Sequence, residues 1–317
     1  MLRVLGALLP IVGLATSAAA QAVLVDAQVA DWDVPRMHRL VEQENYSFTV
    51  GDTWVSQFLA QGGDIRNVTG LVHPKTADLS MPVVNLKADP ELPAHFDWRE
   101  QVEGGLQPIR NQGSCGSCWA FSVTAVLESL VRIAAPGADV DLAEQTLVSS
   151  CERNGSCSGG YFNAFNYTQN PGLPDEAQDP YKAYDTSCRQ GLIPKQKISQ
   201  WAYIGGSNGS SPTTEQIKTA IYNYGPVSVD VNGSFSSYTG GIYDRCNTSG
   251  TNHMVTLEGW DEEGGYWIMR NSWGTGWGEE GYMRIKYTNS SGSKCNGIGR
   301  VAAFAVLADP PARLRRH

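Results

Sequence analysis

The stretch Gln112-Gly-Ser-Cys-Gly-Ser-Cys-Trp119 leads directly into a long apolar run, CWAFSVTAVLESLVRIA, over residues 118–134. Apolar side chains cover most faces of this run, so it predicts a mostly buried helix that begins at Cys118. A polar stripe remains at Glu128, Ser129 and Arg132. A thiol at the amino end of a helix faces the positive end of the helix dipole, which stabilises the thiolate. Cys118 is therefore predicted to be a nucleophile, provided that a base lies nearby.

The candidate base is His253, the only histidine of the cysteine-rich part apart from His95 at its start and His317 in the tail. It lies in a strand-type segment, 135 residues after Cys118. Asn271 follows in the stretch RNSWGTGW, 153 residues after the same cysteine. A thiol activated by an imidazole, which a third side chain orients, is the arrangement of nucleophilic catalysis.

The chain has seven cysteines, so three disulfides would leave one thiol unpaired. Six cysteines allow 15 connectivities, and the sequence alone does not choose among them. Residues 21–91 contain no cysteine and residues 92–317 contain all seven, which places a domain boundary near Pro90 to Pro93.

The first twenty residues predict a cleaved signal peptide. Arg3 supplies the positive charge, Val4 to Ala15 is apolar, and Ala18-Ala19-Ala20 provides a small-residue cleavage site. The apolar run is shorter than the ~20 residues that span a bilayer, and no later stretch is long enough, so no membrane span is expected. Half of the 16 asparagines lie in Asn-x-Ser/Thr sequons, which favours a glycoprotein of the secretory pathway. The candidate glycosylation sites are Asn45, Asn67, Asn154, Asn166, Asn208, Asn232, Asn247 and Asn289.

The net charge of −8 argues against nucleic acid as a partner, since such a binder carries a basic face. The basic residues that end the chain follow Pro310-Pro311, and residues 309–317 are read as a disordered tail.

The remaining pattern predicts helices first and strands later. An amphipathic helix is expected over Val34 to Val41 with Asp33 near its start, and a capping box at Asp141 and Glu144 predicts a further helix. Short β-type runs follow residue 200, at 227–231, 254–257, 266–269 and 282–287. We therefore expect an α+β fold of two packed subdomains with a cleft between them. The segment before residue 91 has too little apolar periodicity to fold alone and needs the following domain as its partner surface.

These residues together resemble the papain-like cysteine proteases of the cathepsin type. The resemblance covers about residues 92–306, including Asp97-Trp98-Arg99, and the Cys-Gly-Ser-Cys-Trp motif with its downstream His and Asn is a documented family signature. It implies a propeptide over 21–91 and a peptidase domain over 92–308. That domain would have a helical subdomain at about 110–200, a β-barrel-like antiparallel subdomain at about 201–306, and the active-site cleft between them.

The resemblance also implies roles for individual residues. Cys118 would be the nucleophile and His253 its acid/base partner. Asn271 would orient the imidazole under the cover of Trp273, and the side chain of Gln112 would form the oxyanion hole with the Cys118 N–H. Trp277 is interpreted as a packing residue. The implied disulfides are Cys115–Cys157, Cys151–Cys188 and Cys246–Cys295.

Substrates of this family pair with backbone that matches Gly159 and Gly160. The pocket for the second side chain upstream of the cut matches Tyr161, Asp230, Met254 and either Arg300 or Val301; two alignment anchors favour Val301. An acidic Asp230 is unusual there, and we hypothesise an apolar pocket that tolerates a basic side chain at its rim. The alternative is that Asp230 points to solvent.

The propeptide has the short length of the cathepsin B type. However, the 27 residues between Gly160 and Cys188 contain no histidine, so the occluding loop of cathepsin B is missing and endopeptidase activity is expected. The expected partners are polypeptide substrates, the inhibitory propeptide and cystatin-type inhibitors, with a monomeric chain and no metal or other cofactor. The expected location is a lysosome or acidic vesicle, or the extracellular space.

Two other functions stay open at this point. Cys115-x-x-Cys118 could be a thiol–disulfide exchange motif, which would need both thiols free. The chain could also be a catalytically silent glycoprotein on the same fold.

Overall fold

The computed structural model describes residues 29–74, 82–149, 151, 155–205, 211–247 and 249–308. The expected signal peptide, the first residues of the expected propeptide and the expected tail lie outside these residues. The candidate glycosylation sites Asn154 and Asn208 also lie outside them.

Helices lie mainly before residue 170. Within the described residues the α-helices are α1 (Val34–Glu44), α2 (Trp54–Ala60), α3 (Trp98–Gln101), α4 (Cys118–Ala134), α5 (Glu144–Val148), α6 (Phe165–Gln169) and α7 (Thr214–Tyr224). Short 3-10 turns lie at Ile65–Asn67, Phe162–Ala164, Glu176–Gln178 and Cys295–Gly297.

Helix α4 begins at Cys118 as predicted, and nearly every side chain along it is buried. Glu128 and Ser129 of the polar stripe are buried as well, because other parts of the chain supply their hydrogen-bond partners. The Glu128 carboxylate accepts the Leu142 N–H at 2.8 Å, and the Ser129 hydroxyl accepts a hydrogen bond from Gln107 at 3.2 Å. Only Arg132 reaches the surface, where its guanidinium donates to backbone carbonyls.

The predicted capping box is wrong. Helix α5 begins at Glu144, and Ala143 occupies its cap without a side-chain hydrogen bond. Asp141 instead forms an ion pair with Arg110 at 2.7 Å. Its side chain therefore joins two chain segments rather than starting a helix.

The strands form one large, mostly antiparallel sheet and one small hairpin. They are β1 (Phe48–Val50), β2 (Val83–Val84), β3 (His95–Asp97), β4 (Leu173–Pro174), β5 (Pro194–Gln196), β6 (Ile198–Ile204), β7 (Val227–Val231), β8 (Tyr238–Tyr243), β9 (His253–Asp261), β10 (Tyr266–Arg270), β11 (Tyr282–Lys286) and β12 (Ala302–Leu307). The order in the ten-stranded sheet is β1-β8-β11-β10-β9-β7-β12-β6-β2, with β3 paired to β9. The predicted strands correspond to β7, β9, β10 and β11, although β9 runs four residues further than its apolar pattern.

Two hydrophobic clusters make up the core, and helix α4 belongs to the second of them. One cluster fills the sheet and includes Trp260, Trp267 and Trp277. The other surrounds α4 and includes Trp119 and Phe162. Helix α4 packs against β9 and β12, so the first turn of the helix and the start of β9 meet where the two halves join. This is the predicted α+β arrangement of two subdomains.

The segment upstream of residue 91 lies on the surface of the domain that follows it. Asp33 caps α1 by accepting the Arg36 N–H, and the apolar side of this helix buries Met37 and Leu40. Strand β1 adds to β8, and Phe48 lies 4.6 Å from the ring of Tyr243. The buried apolar side chains of the segment belong to the sheet cluster, except Leu71, which belongs to the cluster around α4, so the domain supplies most of their apolar surroundings.

Candidate active site

Cys118 is the one cysteine without a disulfide partner, and it is fully buried. The other six form the pairs Cys115–Cys157, Cys151–Cys188 and Cys246–Cys295. The Cys118 Sγ accepts a hydrogen bond from the backbone N–H of Met254 at 3.3 Å. The thiol at the start of α4 therefore lies beside the first residues of β9, the strand that begins with His253.

The side chain of His253 is held by Asn271. The distance from His253 Nε2 to Asn271 Oδ1 is 2.8 Å, and Asn271 Oδ1 also accepts the Ser272 N–H at 2.8 Å. Because an amide oxygen can only accept, the imidazole proton lies on Nε2 and Nδ1 keeps its lone pair. Nδ1 has no hydrogen-bond partner among the described residues. The ring of Trp273 stacks on the imidazole at 5.0 Å and covers this pair.

Gln112 is fixed at both ends of its carboxamide. Its Oε1 accepts the Ser272 hydroxyl at 2.6 Å, and its Nε2 donates to the Cys115 carbonyl at 2.9 Å. Nε2 also donates to the Thr69 carbonyl at 3.1 Å, and the Cys118 backbone N–H reaches the same oxygen at 3.4 Å. Two donors thus converge on one carbonyl oxygen beside the thiol, the geometry that stabilises a developing oxyanion.

The oxygen at that point belongs to the upstream segment, which fills the cleft. The Gly160 N–H donates to Gly70 O at 2.9 Å, and the Val72 N–H donates to Gly160 O at 3.0 Å. Trp273 Nε1 donates to Val68 O at 2.6 Å. Gly70 has a φ of +120°, and a Cβ there would lie 2.1 Å from the Gly116 carbonyl oxygen, so only glycine fits so close to the cleft wall.

Burial under this segment sets the charge state of the site. Desolvation raises the pKa of the Cys118 thiol to about 12 and lowers the pKa of the His253 imidazole to about 4. The expectation that the helix dipole yields a thiolate therefore does not hold while the cleft is covered. Thiol and imidazole are both neutral in this state.

The residues expected to line the specificity pocket lie together. Asp230 is only 1% exposed; its carboxylate accepts the Val301 N–H at 2.7 Å and the Thr251 hydroxyl at 2.8 Å. The alternative that Asp230 points to solvent is therefore wrong. Met254, Tyr161 and Val301 belong to or pack against the same hydrophobic cluster, whereas Arg300 is exposed.

Trp277 is fully buried, as expected for a packing residue. Its ring lies 5.0 Å from that of Trp273, and its Nε1 donates to the Ser236 carbonyl. Trp277 therefore packs against Trp273, the residue that covers His253.

Sequence reasoning missed a group of ionisable side chains beneath the site. Glu128, Glu144 and Arg270 are buried, Arg110 is partly exposed, and all four line a small cavity between the two subdomains. Burial raises the pKa of Glu128 to about 7 and raises that of Glu144 above its usual range. Arg270 lies 3.6 Å from the carboxylate of Glu258. These residues are far apart in the sequence, and nothing in their local patterns predicts their meeting.

Thr251 and Ser272 were also missed, although each touches a predicted site residue. Thr251 contacts Asp230, and Ser272 contacts Gln112. Their only signal in the sequence is position, two residues before His253 and one residue after Asn271. Among the described residues, no group of three or more His, Cys, Asp or Glu side chains is arranged to hold a metal ion. None of the described helices is long and apolar enough to cross a membrane.

A buried thiol, an imidazole oriented by a carboxamide, and two converging donors define a cysteine peptidase of the two-subdomain type. Residues 92–305 match the family model described as papain family cysteine protease. The chain belongs to this family.

Relatives and solved structures agree. The chain is 32% identical to digestive cysteine proteinase 2 of Homarus americanus, with 85% of each chain covered. It is 38% identical to cathepsin S of Bos taurus, over 71% of this chain and 69% of the relative. The structure of digestive procathepsin L2 from Tenebrio molitor superposes with a TM-score of 0.73 at 30% identity, covering 92% of this chain and 95% of the other. A recombinant stem bromelain precursor gives a TM-score of 0.71 at 28% identity, covering 93% and 95%.

Proposed function

We propose that this chain is a cysteine endopeptidase of the secretory pathway, made as a zymogen whose residues 21–91 are an inhibitory propeptide. The observation that carries the proposal is the Thr69 carbonyl. It accepts hydrogen bonds from Gln112 and from the Cys118 N–H, so a propeptide group occupies the place of a scissile carbonyl oxygen. Relatives that include a digestive proteinase and a procathepsin support the same activity.

In the uncovered enzyme, His253 Nδ1 takes the proton of the Cys118 thiol, and the thiolate attacks the peptide carbonyl carbon. The carbonyl electron pair moves to oxygen, where Gln112 and the Cys118 N–H stabilise the charge. When the carbonyl re-forms, the C–N bond breaks and the imidazolium gives its proton to the departing amine. A thioester remains on Cys118.

Hydrolysis of that thioester completes the cycle. His253 accepts a proton from a water molecule, which attacks the same carbon, and the proton then returns to the leaving thiolate. Throughout the cycle Asn271 Oδ1 accepts the Nε2–H of the ring in a hydrogen bond of 2.8 Å, so that only Nδ1 gains and loses the transferred proton. Trp273 excludes water from this hydrogen bond by stacking on the ring.

The direction of the propeptide explains its inhibition. In family substrates the residues upstream of the cut pair with the backbone that matches Gly160. Here Gly70 and Val72, which follow Thr69, make those hydrogen bonds, so the propeptide runs opposite to a substrate. The amide after Thr69 therefore points to the wrong side of the site for its nitrogen to leave as substrate nitrogen does.

Endopeptidase activity is supported by the absence of histidine between Gly160 and Cys188. No residue of that segment can pair with a peptide carboxylate as an imidazolium. Peptides with an amidated carboxyl end should be cut as readily as free acids, and a strong preference for the free acids would contradict this assignment.

Acid activation of the zymogen is part of the proposal, and Asp64 is its best candidate group. Asp64 accepts hydrogen bonds from the side chain and backbone of Arg66, which lower the pKa of its carboxyl. Asp64 caps the 3-10 turn Ile65–Asn67, which leads into the residues that fill the cleft, so its contribution to that turn is present above pH ~4 and is lost as pH falls through the lowered pKa. Asp31 has the opposite effect on the pH dependence, since burial raises its pKa. Its protonation therefore does not favour release of the propeptide.

The candidate glycosylation sites differ in how exposed their asparagine side chains are. Asn45, Asn67, Asn166, Asn247 and Asn289 belong to the described residues and lie at or near the surface. Asn232 is 8% exposed and its amide donates to Ser249 and Gly250, so a glycan there must be attached before this part folds.

Labelling with an epoxide-type thiol reagent tests the proposal. The acid-activated protein should take up one label per chain and lose peptidase activity, and Cys118→Ser should abolish both. A redox protein would instead show two titratable thiols. The Cys115–Cys157 disulfide speaks against that function, because Cys115 is already paired. A silent binding protein would leave peptide substrates uncut.

A further inference from the structure

The propeptide places one polar side chain against the wall of the specificity pocket. His73 Nε2 lies 2.8 Å from the Thr251 hydroxyl oxygen, and its ring meets the ring of Tyr161 edge-on with 5.6 Å between centroids. His73 itself remains exposed, so the contact lies at the rim. Leu71, two residues earlier, is buried and forms a parallel bridge with Gly160.

The direction of the hydrogen bonds identifies Thr251 Oγ1, at the rim of the pocket, as a hydrogen-bond acceptor. The single hydroxyl proton of Thr251 is donated to Asp230 Oδ2 at 2.8 Å. The other carboxylate oxygen of Asp230 is held by the Val301 N–H. Thr251 Oγ1 can therefore only accept from His73, whose Nε2 must carry a proton. The series of hydrogen bonds from His73 through Thr251 to Asp230 shows how a side chain with an N–H donor binds at the rim of the pocket.

The charges around the pocket favour a substrate side chain that donates a hydrogen bond. Asp230 is the one acidic residue among those expected to line it, and Lys294 also interacts electrostatically with Asp230. Burial lowers the pKa of Lys294 to about 8 and raises that of Asp230 to about 6, so Asp230 is ionised at neutral pH. Lys294 offsets part of its charge, and selection then rests on the hydrogen bond through Thr251.

We propose that Thr251, oriented by Asp230, selects substrates whose second residue upstream of the cut carries an N–H donor, above all histidine and the cationic side chains. This rests on the proposed peptidase function and names its substrate class. Leucine still enters the apolar part of the pocket, near Met254 and Val301. Thr251 is a specificity residue in this proposal, and Asp230 is a positioning residue that acts through it.

The test compares fluorogenic dipeptide substrates that differ only at the second position, with histidine, lysine or leucine. The acid-activated enzyme is compared with Thr251→Val, which keeps the shape and removes the hydroxyl, and with Asp230→Asn. Thr239→Val is the matched control, since among the described residues its hydroxyl bonds to the propeptide residue Thr49. Epoxide titration of Cys118 gives the concentration of folded, active enzyme for each variant.

We expect the ratio of kcat/KM for histidine over leucine to fall about tenfold in Thr251→Val. Asp230→Asn should lower the histidine and lysine ratios in the same direction, and Thr239→Val should not change them. Ratios in Thr251→Val within about twofold of the starting enzyme would overturn the inference alone. A protein that takes up no epoxide and cuts no peptide would overturn the proposed function, and the inference with it.

Discussion

Replacement of Gln112 by alanine removes one of the two donors that converge on the Thr69 carbonyl oxygen. The Cys118 N–H remains, because it belongs to the backbone of α4. Loss of one oxyanion donor typically costs about 3–4 kcal/mol of barrier, or roughly a hundred- to a thousandfold in kcat. The structure supports a loss of kcat of this full size, since the Gln112 carboxamide is buried and already held by Ser272 and Cys115. A donor held in place needs no reorganisation during the reaction.

The assay measures kcat and KM of the acid-activated enzyme on one peptide substrate, with active sites counted by epoxide labelling. Gln112→Ala should lower kcat by that factor and leave KM within about threefold, because the donor acts mainly on the charged oxygen. Attack of the thiolate on an epoxide forms no carbonyl oxyanion, so the labelling rate should change little. Gln107→Ala is the control, a buried glutamine that bonds to Ala125 and Ser129 away from the thiol. A fall in kcat of less than about tenfold would refute the assigned role.

Four further predictions concern positioning, latency and pH. Ser272→Ala should free the Gln112 carboxamide at Oε1 and lower kcat about three- to tenfold in the same assay, and an unchanged kcat would show that the hydrogen bond at 2.6 Å does not position Gln112. Phe48→Ala should weaken propeptide docking by about 3 kcal/mol and speed zymogen activation, since Phe48 is buried against the sheet; equal activation half-times would contradict this. Asp64→Asn should make activation faster at neutral pH, whereas Asp31→Asn should not, and activation rates between about pH 4 and 7 separate the two. Glu128 has a folded pKa of about 7 against an ordinary 4.5, so its contribution to the free energy of unfolding is greatest below pH ~4.5 and is lost as pH rises through 7. Melting temperatures should therefore depend less on pH in Glu128→Gln, and a steeper dependence would disprove this reading.

The parts of the fold that the sequence predicts best are those governed by local pattern. The helix at Cys118 and strand β7 have the expected bounds because their apolar residues follow one period without interruption. A motif with known spacing predicts the candidate catalytic residues, and the structure brings Cys118, His253 and Asn271 to one place.

What the sequence did not predict depends on contacts between distant residues. Asp141 has the pattern of a cap, but an ion pair with Arg110 holds it elsewhere. Burial raises the pKa of the Cys118 thiol, and residues 69–72 belong to the cover over the cleft, which no property of the local sequence reports. The orientation of Asp230 likewise depends on Thr251 and on the Val301 N–H, which come from other strands and loops.

The sheet order has a consequence for the protein after maturation. Both of its outermost strands, β1 and β2, come from the segment upstream of residue 91. Cleavage there would remove them together and leave the backbone N–H and C=O groups of β8 and β6 without partners at opposite margins of the sheet. Open margins of this kind readily recruit strands from other chains. Under the proposed maturation, the precursor would thus be the form protected against self-association, and the cleaved enzyme would carry that hazard.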